Sequence, residues 1–303
     1  MMKSVRLHVL TTSLLVTALA FAPPSARSPS IIIPSLQATN RRAVPRLQAA
    51  SVRVEVDEEA VGVALCDMLR AAAAEAIAEK GAFSFAISGG SMLKMLSNLA
   101  DDEEIPWNRC TMAFVSHRCV PLDDDGATYG KALPKFLKRW IDRGLRVLAP
   151  LGSTDSAAEA DAYEDALAAL PPSTLAQRFD SGLPSFDLTL IGVGRDGHVG
   201  SIYPDIDDTE ATRAVVPITG VDGMGKVSTK ISLSLAAMRA SKKAVVACAG
   251  KSPKAPLGKA EAMVRALEGE ETPRSFPASA LRDTATWLLD ADSACLLKAA
   301  TMK

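Results

Sequence analysis

Phe83-Ser84-Phe85-Ala86-Ile87-Ser88-Gly89-Gly90-Ser91 sets a compact apolar run against a double-glycine turn, and Met92 to Leu99 then reads as helical. A short buried run bounded by glycines and followed by a helix is half of a strand–helix–strand crossover. On its amino-terminal side, Val52 to Val56 reads as a short strand. Asp57 reads as the N-cap of a long Ala-rich helix through Glu79 that stops at Gly81. Downstream, Thr111 to Val115 is the next expected strand, and Thr128 to Trp140 an expected helix. Asp155 caps a helix ending near Pro171, and Phe186 to Ile191 is a strand running into a glycine-rich turn. Lys230 to Leu235 and Ala244 to Cys248 read as strands, Ala260 to Leu267 as a helix, and Thr286 to Leu289 as a closing strand. The alternation predicts one α/β domain with a mainly parallel sheet flanked by helices.

In such sheets ligands sit beyond the carboxyl ends of the strands. The loops after Ile87, Val115 and Ile191 all fall at that edge. In Ser88-Gly89-Gly90-Ser91, paired glycines allow close backbone approach, and N–H groups at a helix start suit a phosphate; a tight turn without a ligand is the bland alternative. In Val115-Ser116-His117-Arg118-Cys119-Val120-Pro121, the Arg118 guanidinium can clamp a phosphate in bidentate fashion or serve as a surface ion-pair partner. His117 reads as structural rather than catalytic. The third loop, Gly192-Val193-Gly194-Arg195-Asp196-Gly197-His198, holds an imidazole over the sheet edge. Imidazole titrates near neutrality, so His198 can take a proton from water and return it.

Composition narrows the function classes. Lys and Arg number 34 against 35 Asp and Glu, a net charge of −1, whereas a nucleic-acid binder carries a basic excess or stripe. The five cysteines, Cys66, Cys110, Cys119, Cys248 and Cys295, are odd in number and widely spaced, without a CxxC. That argues against a disulfide framework or a zinc site. His8, His117 and His198 are the only histidines, too few for a histidine-rich metal centre.

Residues 1–50 read as a presequence. Lys3 and Arg6 precede an apolar stretch from Val9 to about Ala22, of signal-peptide length and too short to span a bilayer. Pro23 to Ala50 is rich in Ser, Arg and Pro and has no acidic residue, as transit peptides do. The series resembles the bipartite plastid presequence of algae with secondary plastids, with Ala20-Phe21-Ala22-Pro23 at the junction. A secretory signal followed by a linker, leading to the secretory pathway or ER lumen, is the alternative. Residues 51–303 are left as the folded domain.

The third loop continues into Ser201-Ile202-Tyr203-Pro204, and the whole Phe186 to Pro204 stretch resembles the signature of the 6-phosphogluconolactonase family. Ile87-Ser88-Gly89-Gly90-Ser91, Ile105-Pro106-Trp107, Arg118 with Val120-Pro121, Thr128-Tyr129-Gly130 and Ile231-Ser232-Leu233-Ser234-Leu235 fit in order, from about residue 55 to 297. The resemblance implies a Rossmann-like fold and hydrolysis of 6-phospho-D-glucono-1,5-lactone in the oxidative pentose phosphate pathway. It implies neither metal nor organic cofactor, and a small phosphosugar lactone as the partner rather than nucleic acid or a membrane. His198 would be the general base, oriented by Asp196. Ser88, Gly89, Gly90, Ser91, Gly194 and Gly197 would supply backbone donors. Arg118 and a lysine would hold the phosphate, with Lys251 favoured over Lys259 because it directly follows the Ala244 to Cys248 strand.

One departure stands out. The family has Asp-Glu-Arg where this chain has Ser116-His117-Arg118. Both carboxylates are replaced, which leaves a weakened, phosphosugar-binding homologue as an alternative, with His117 as a conceivable second proton carrier. The glucosamine-6-phosphate deaminases of the same superfamily carry an Asn-Glu-Pro element after their Asp-Gly-His. Ser201-Ile202-Tyr203-Pro204 in that place makes the deaminase the lesser alternative.

Overall fold

Along β2 (Phe83–Ile87) every residue is buried, and alternate side chains enter two different cores. Phe83, Phe85 and Ile87 pack on one face of the sheet, Ala86 on the other. The same period-two split divides Met112 and Phe114 from Ala113, and Val245 and Ala247 from Val246. Strands apolar on both faces need helices on both faces, the arrangement of a covered parallel sheet. The computed structural model describes residues 51–221, 227–251 and 256–302; the expected presequence and Ser252-Pro253 lie outside the described residues.

Seven strands form the main sheet in the order β1-β12-β11-β8-β2-β3-β5. They are β1 (Ser51–Glu55), β2, β3 (Cys110–Phe114), β5 (Arg146–Val147), β8 (Leu188–Gly192), β11 (Ala244–Cys248) and β12 (Ala285–Asp290). Every neighbouring pair is parallel. One covering layer holds α1 (Glu58–Lys80), α2 (Ser91–Leu96), α3 (Thr128–Ala132) and α4 (Lys138–Asp142). The other holds α5 (Ser156–Ala168), α6 (Leu235–Ala240) and α7 (Ala260–Glu268).

The expected caps of α1 are present. The Asp57 carboxylate accepts from the Ala60 N–H at 2.8 Å, and the Gly81 N–H returns to Ile77 O at 2.9 Å. The expected helix from Thr128 to Trp140 is interrupted by a π turn, Leu133–Leu137, between α3 and α4. Pro134 lies in that turn, and a proline has no N–H to return to the preceding turn.

Three strands pair outside the main sheet: β4 (Ser116–Arg118), β9 (Val215–Val221) and β10 (Val227–Leu233), antiparallel in the order β4-β10-β9. A small hairpin, β6 (Ala176–Gln177) with β7 (Pro184–Ser185), completes the described strands. β9 answers to none of the expected strands, and it carries Pro217 and Gly220, residue types that disfavour strands. Pro217 is accommodated because β9 is the edge of its sheet. Ser116-His117-Arg118, read as loop, is strand β4 instead, and that difference shapes the site.

Candidate active site

From β2 the chain winds outward through β3 to β5; from β8 it winds the other way through β11 to β12. β2 and β8 are neighbours, so their carboxyl ends flank the switch point where such sheets open a crevice. The two halves are stitched there: Ser88 N–H donates to Leu190 O at 2.9 Å, and Gly192 N–H to Ser88 Oγ at 3.2 Å. Above them lies a cleft of about 410 Å³, walled in part by Ser88, Gly89, Gly90 and Ser91. Gly90 turns the chain from strand to helix at φ +68°, where a side chain would be strained.

Beyond β3 the chain enters β4, whose Arg118 stands opposite Lys230 of β10 in the antiparallel register. Like charges directly opposite across a ladder repel, yet both side chains line the cleft, together with Lys131 and Lys259. Among the described residues no carboxylate lines it, and none of these four cations makes an ion pair. A concave wall of one charge focuses the field and draws anions.

The turn after β8 carries the imidazole. Gly194 N–H donates to His198 O at 2.8 Å, and Gly197 N–H to Gly194 O at 3.1 Å. Asp196 Oδ1 accepts from His198 Nδ1 at 2.6 Å and from its backbone N–H at 3.2 Å. That carboxylate keeps the ring proton on Nδ1, so Nε2 presents a lone pair. Any side chain at Gly194 would collide with the imidazole and with Asp196. Gly197, at φ +88°, lies so close to Phe276 that a Cβ would stand 2.5 Å from the ring. Ala278 N–H donates to Gly197 O at 2.9 Å and secures the same turn. Tyr203 packs its ring against His198, centroids 4.8 Å apart, and its hydroxyl accepts from Lys230 Nζ at 2.6 Å.

The profile of the glucosamine-6-phosphate isomerase/6-phosphogluconolactonase family matches residues 56–289. The chain belongs to that family. Among curated relatives, a 6-phosphogluconolactonase from Mycobacterium tuberculosis is 29% identical, over 82% of this chain and 99% of that protein. The chloroplastic 6-phosphogluconolactonase 3 of Arabidopsis thaliana is 32% identical over 70% of this chain and 64% of that protein. A probable chloroplastic 6-phosphogluconolactonase 4 of Oryza sativa subsp. indica is 32% identical, but the match spans 48% of this chain and 47% of the relative, about half its length. The solved 6-phosphogluconolactonase of Trypanosoma brucei shares the fold at a TM-score of 0.68 and 22% identity, covering 84% of this chain and all of that one.

Within this family frame, Ser88, Gly89, Gly90, Ser91, Arg118, Gly194 and His198 converge on one cleft, with Asp196 behind the imidazole. Gly197 does not line it and belongs to the packing beneath the turn. Of the two candidate lysines, Lys259 lines the cleft and Lys251 does not. Gly250 N–H donates to Asp290 Oδ2 at 2.8 Å, and Lys251 ends in an exposed ion pair with Asp292 at 2.9 Å.

His117 cannot carry a second proton in this arrangement. It is buried, its Nδ1–H donates to Arg118 O at 2.7 Å, and its Nε2 accepts from the Tyr129 N–H at 3.1 Å. Both nitrogens are spent, and burial holds its pKa below the ordinary value. It ties β4 to α3. Thr128, Lys131, Tyr203 and Lys230 are cleft residues to which the sequence alone gave no role. Tyr203 and Lys230 did carry a signal, one inside the Ser201 to Pro204 motif and the other beside the Ile231 to Leu235 stretch. Among the described residues no group of His, Cys, Asp and Glu is arranged to hold a metal ion.

Proposed function

We propose that the protein hydrolyses 6-phospho-D-glucono-1,5-lactone to 6-phospho-D-gluconate, a reaction of the oxidative pentose phosphate pathway. The observation that carries this is an imidazole held by Asp196 at 2.6 Å on a cleft that, among the described residues, has four cations and no carboxylate. The names of the bacterial and plant relatives support the same substrate.

A phosphorylated lactone brings a dianion at one end and an electrophilic carbonyl at the other. Arg118 and Lys259 are assigned to the phosphate, with the Ser88 to Ser91 backbone. His198 Nε2 accepts a proton from the attacking water, and Asp196 stabilises the resulting imidazolium without becoming protonated. The same proton then goes to the ring oxygen as the carbon–oxygen bond opens. Residues 51–303 with and without His198→Ala should be assayed for lactone hydrolysis above the spontaneous rate. An excess rate that the substitution abolishes is expected. Retained binding of 6-phosphogluconate with no excess rate would favour a binding homologue, the reading that Ser116-His117 motivates, and ammonia release from glucosamine 6-phosphate would favour the deaminase.

The presequence of residues 1–50 is assigned to plastid import, in keeping with the chloroplastic plant relatives. Residues 1–50 fused to a fluorescent protein should label the plastid of an alga with a secondary plastid; secretion would overturn the assignment.

A further inference from the structure

The Ser201 to Pro204 motif has so far no part in the chemistry, and Tyr203 is its one residue with a polar group in the cleft besides Ser201. We propose that Tyr203, polarised by Lys230, is a catalytic hydrogen-bond donor to the oxygen that turns negative when the lactone carbonyl is attacked. This rests on the lactonase reading above.

The argument begins with donors and acceptors. A lysine ammonium has three N–H groups and no lone pair, so at 2.6 Å it must donate to the Tyr203 hydroxyl oxygen. The phenol proton is then left to donate elsewhere. Among the described residues no carboxylate lines the cleft and no group accepts from this hydroxyl, so a bound ligand or water is its partner. A charged donor on the phenol oxygen polarises the O–H and strengthens the bond it gives in turn.

Position adds to this. The Tyr203 ring lies 4.8 Å from the His198 ring, tilted by 37°, so the donor stands on the same wall as the base. The ring also offers its face to an imidazole that becomes cationic as it takes the water proton. The bridge from Val199 to Ile202 fixes the spacing between the two residues.

The step balances without a proton leaving the phenol. Water attacks C1, its proton passes to His198 Nε2, and the C=O pair moves onto the carbonyl oxygen, where the Tyr203 O–H meets it. Collapse re-forms the C=O and breaks the bond from C1 to the ring oxygen. The proton on Nε2 goes to that oxygen.

Tyr203→Phe keeps the ring against His198 and removes only the hydroxyl. Loss of one preorganised oxyanion donor costs about 100-fold in kcat. The expected result is a fall of that order, with KM and the Kd of 6-phosphogluconate within about twofold of wild type. Lys230→Gln should also lower kcat, and the double variant should be no slower than the slower single, because both act on one hydrogen bond. Three outcomes separate the ideas. Wild type without hydrolysis overturns both this proposal and the lactonase reading. Activity lost in His198→Ala but kept within twofold in Tyr203→Phe overturns this proposal alone. Additive losses in the double variant overturn the coupling of Lys230 to Tyr203.

Discussion

Gly197→Ala puts one methyl group where the structure leaves no room. The residue sits at φ +88°, and the new Cβ would stand 2.5 Å from the Phe276 ring, against an ordinary carbon–carbon contact of about 3.5–4.0 Å. Turn or ring must therefore yield by roughly 1 Å. Phe276 is fully buried and capped on its face by Arg265 at 4.3 Å, so the turn is the part that moves. Left-handed strain costs about 1–2 kcal/mol and overpacking about 1–3 kcal/mol, roughly 2–5 kcal/mol together. At about 2–4 °C per kcal/mol for a domain of this size, the melting temperature should fall by roughly 4–20 °C.

The effect on catalysis should be larger in proportion. His198 is the next residue, and a misplacement of about 1 Å costs on the order of 100-fold. Lactone hydrolysis measured against the spontaneous rate should show kcat down by that factor at a temperature where the variant is folded. Phe276→Leu in the same chain should return part of both losses, because it clears the ring edge. A Gly197→Ala enzyme with wild-type kcat would refute the idea that Phe276 sets the height of the imidazole.

Asp196→Asn should lower kcat by roughly 10⁴-fold, the cost of an imidazole in the wrong tautomer, with little change in melting temperature because the carboxylate is half exposed. Lys259→Ala should raise KM in steady-state assays, whereas Lys251→Ala should leave it unchanged, since Lys251 ends on Asp292. His117 is held neutral by burial, with its pKa below the ordinary 6.5. The unfolded chain therefore binds more protons in acid, so stability is full above about pH 6.5 and falls as pH drops below it. Denaturant unfolding at pH 7 and pH 5 should show that loss, and His117→Asn should reduce the pH dependence.

The main sheet was legible because its strands are continuous apolar runs and its helices carry local caps. Asp57, Gly81 and Asp155 each mark a boundary by chemistry that acts within four residues. The three edge loops followed from topology alone. What the sequence hid was non-local. Ser116-His117-Arg118 has no strand pattern and becomes a strand only by pairing with residues 230–232. Lys230 reaches the cleft through that pairing, and Lys259 lines it from just before α7. Nearness to the strand was no guide to the lysine, because Gly250 is tied to Asp290 and Lys251 to Asp292, both at the end of β12, while Lys259 lines the cleft.

The stitch at Ser88 has a kinetic side. It joins residue 88 to residues 190 and 192, about 100 positions away, and β1 pairs with β12 across 235. Contacts so distant in sequence form late, after local helices and neighbouring strands have paid their ordering entropy. During refolding, helical circular dichroism should therefore recover before hydrolysis does. A chain with most of its secondary structure in place would still have two half-sites, and enzymatic activity would report the moment at which the two windings of the sheet meet.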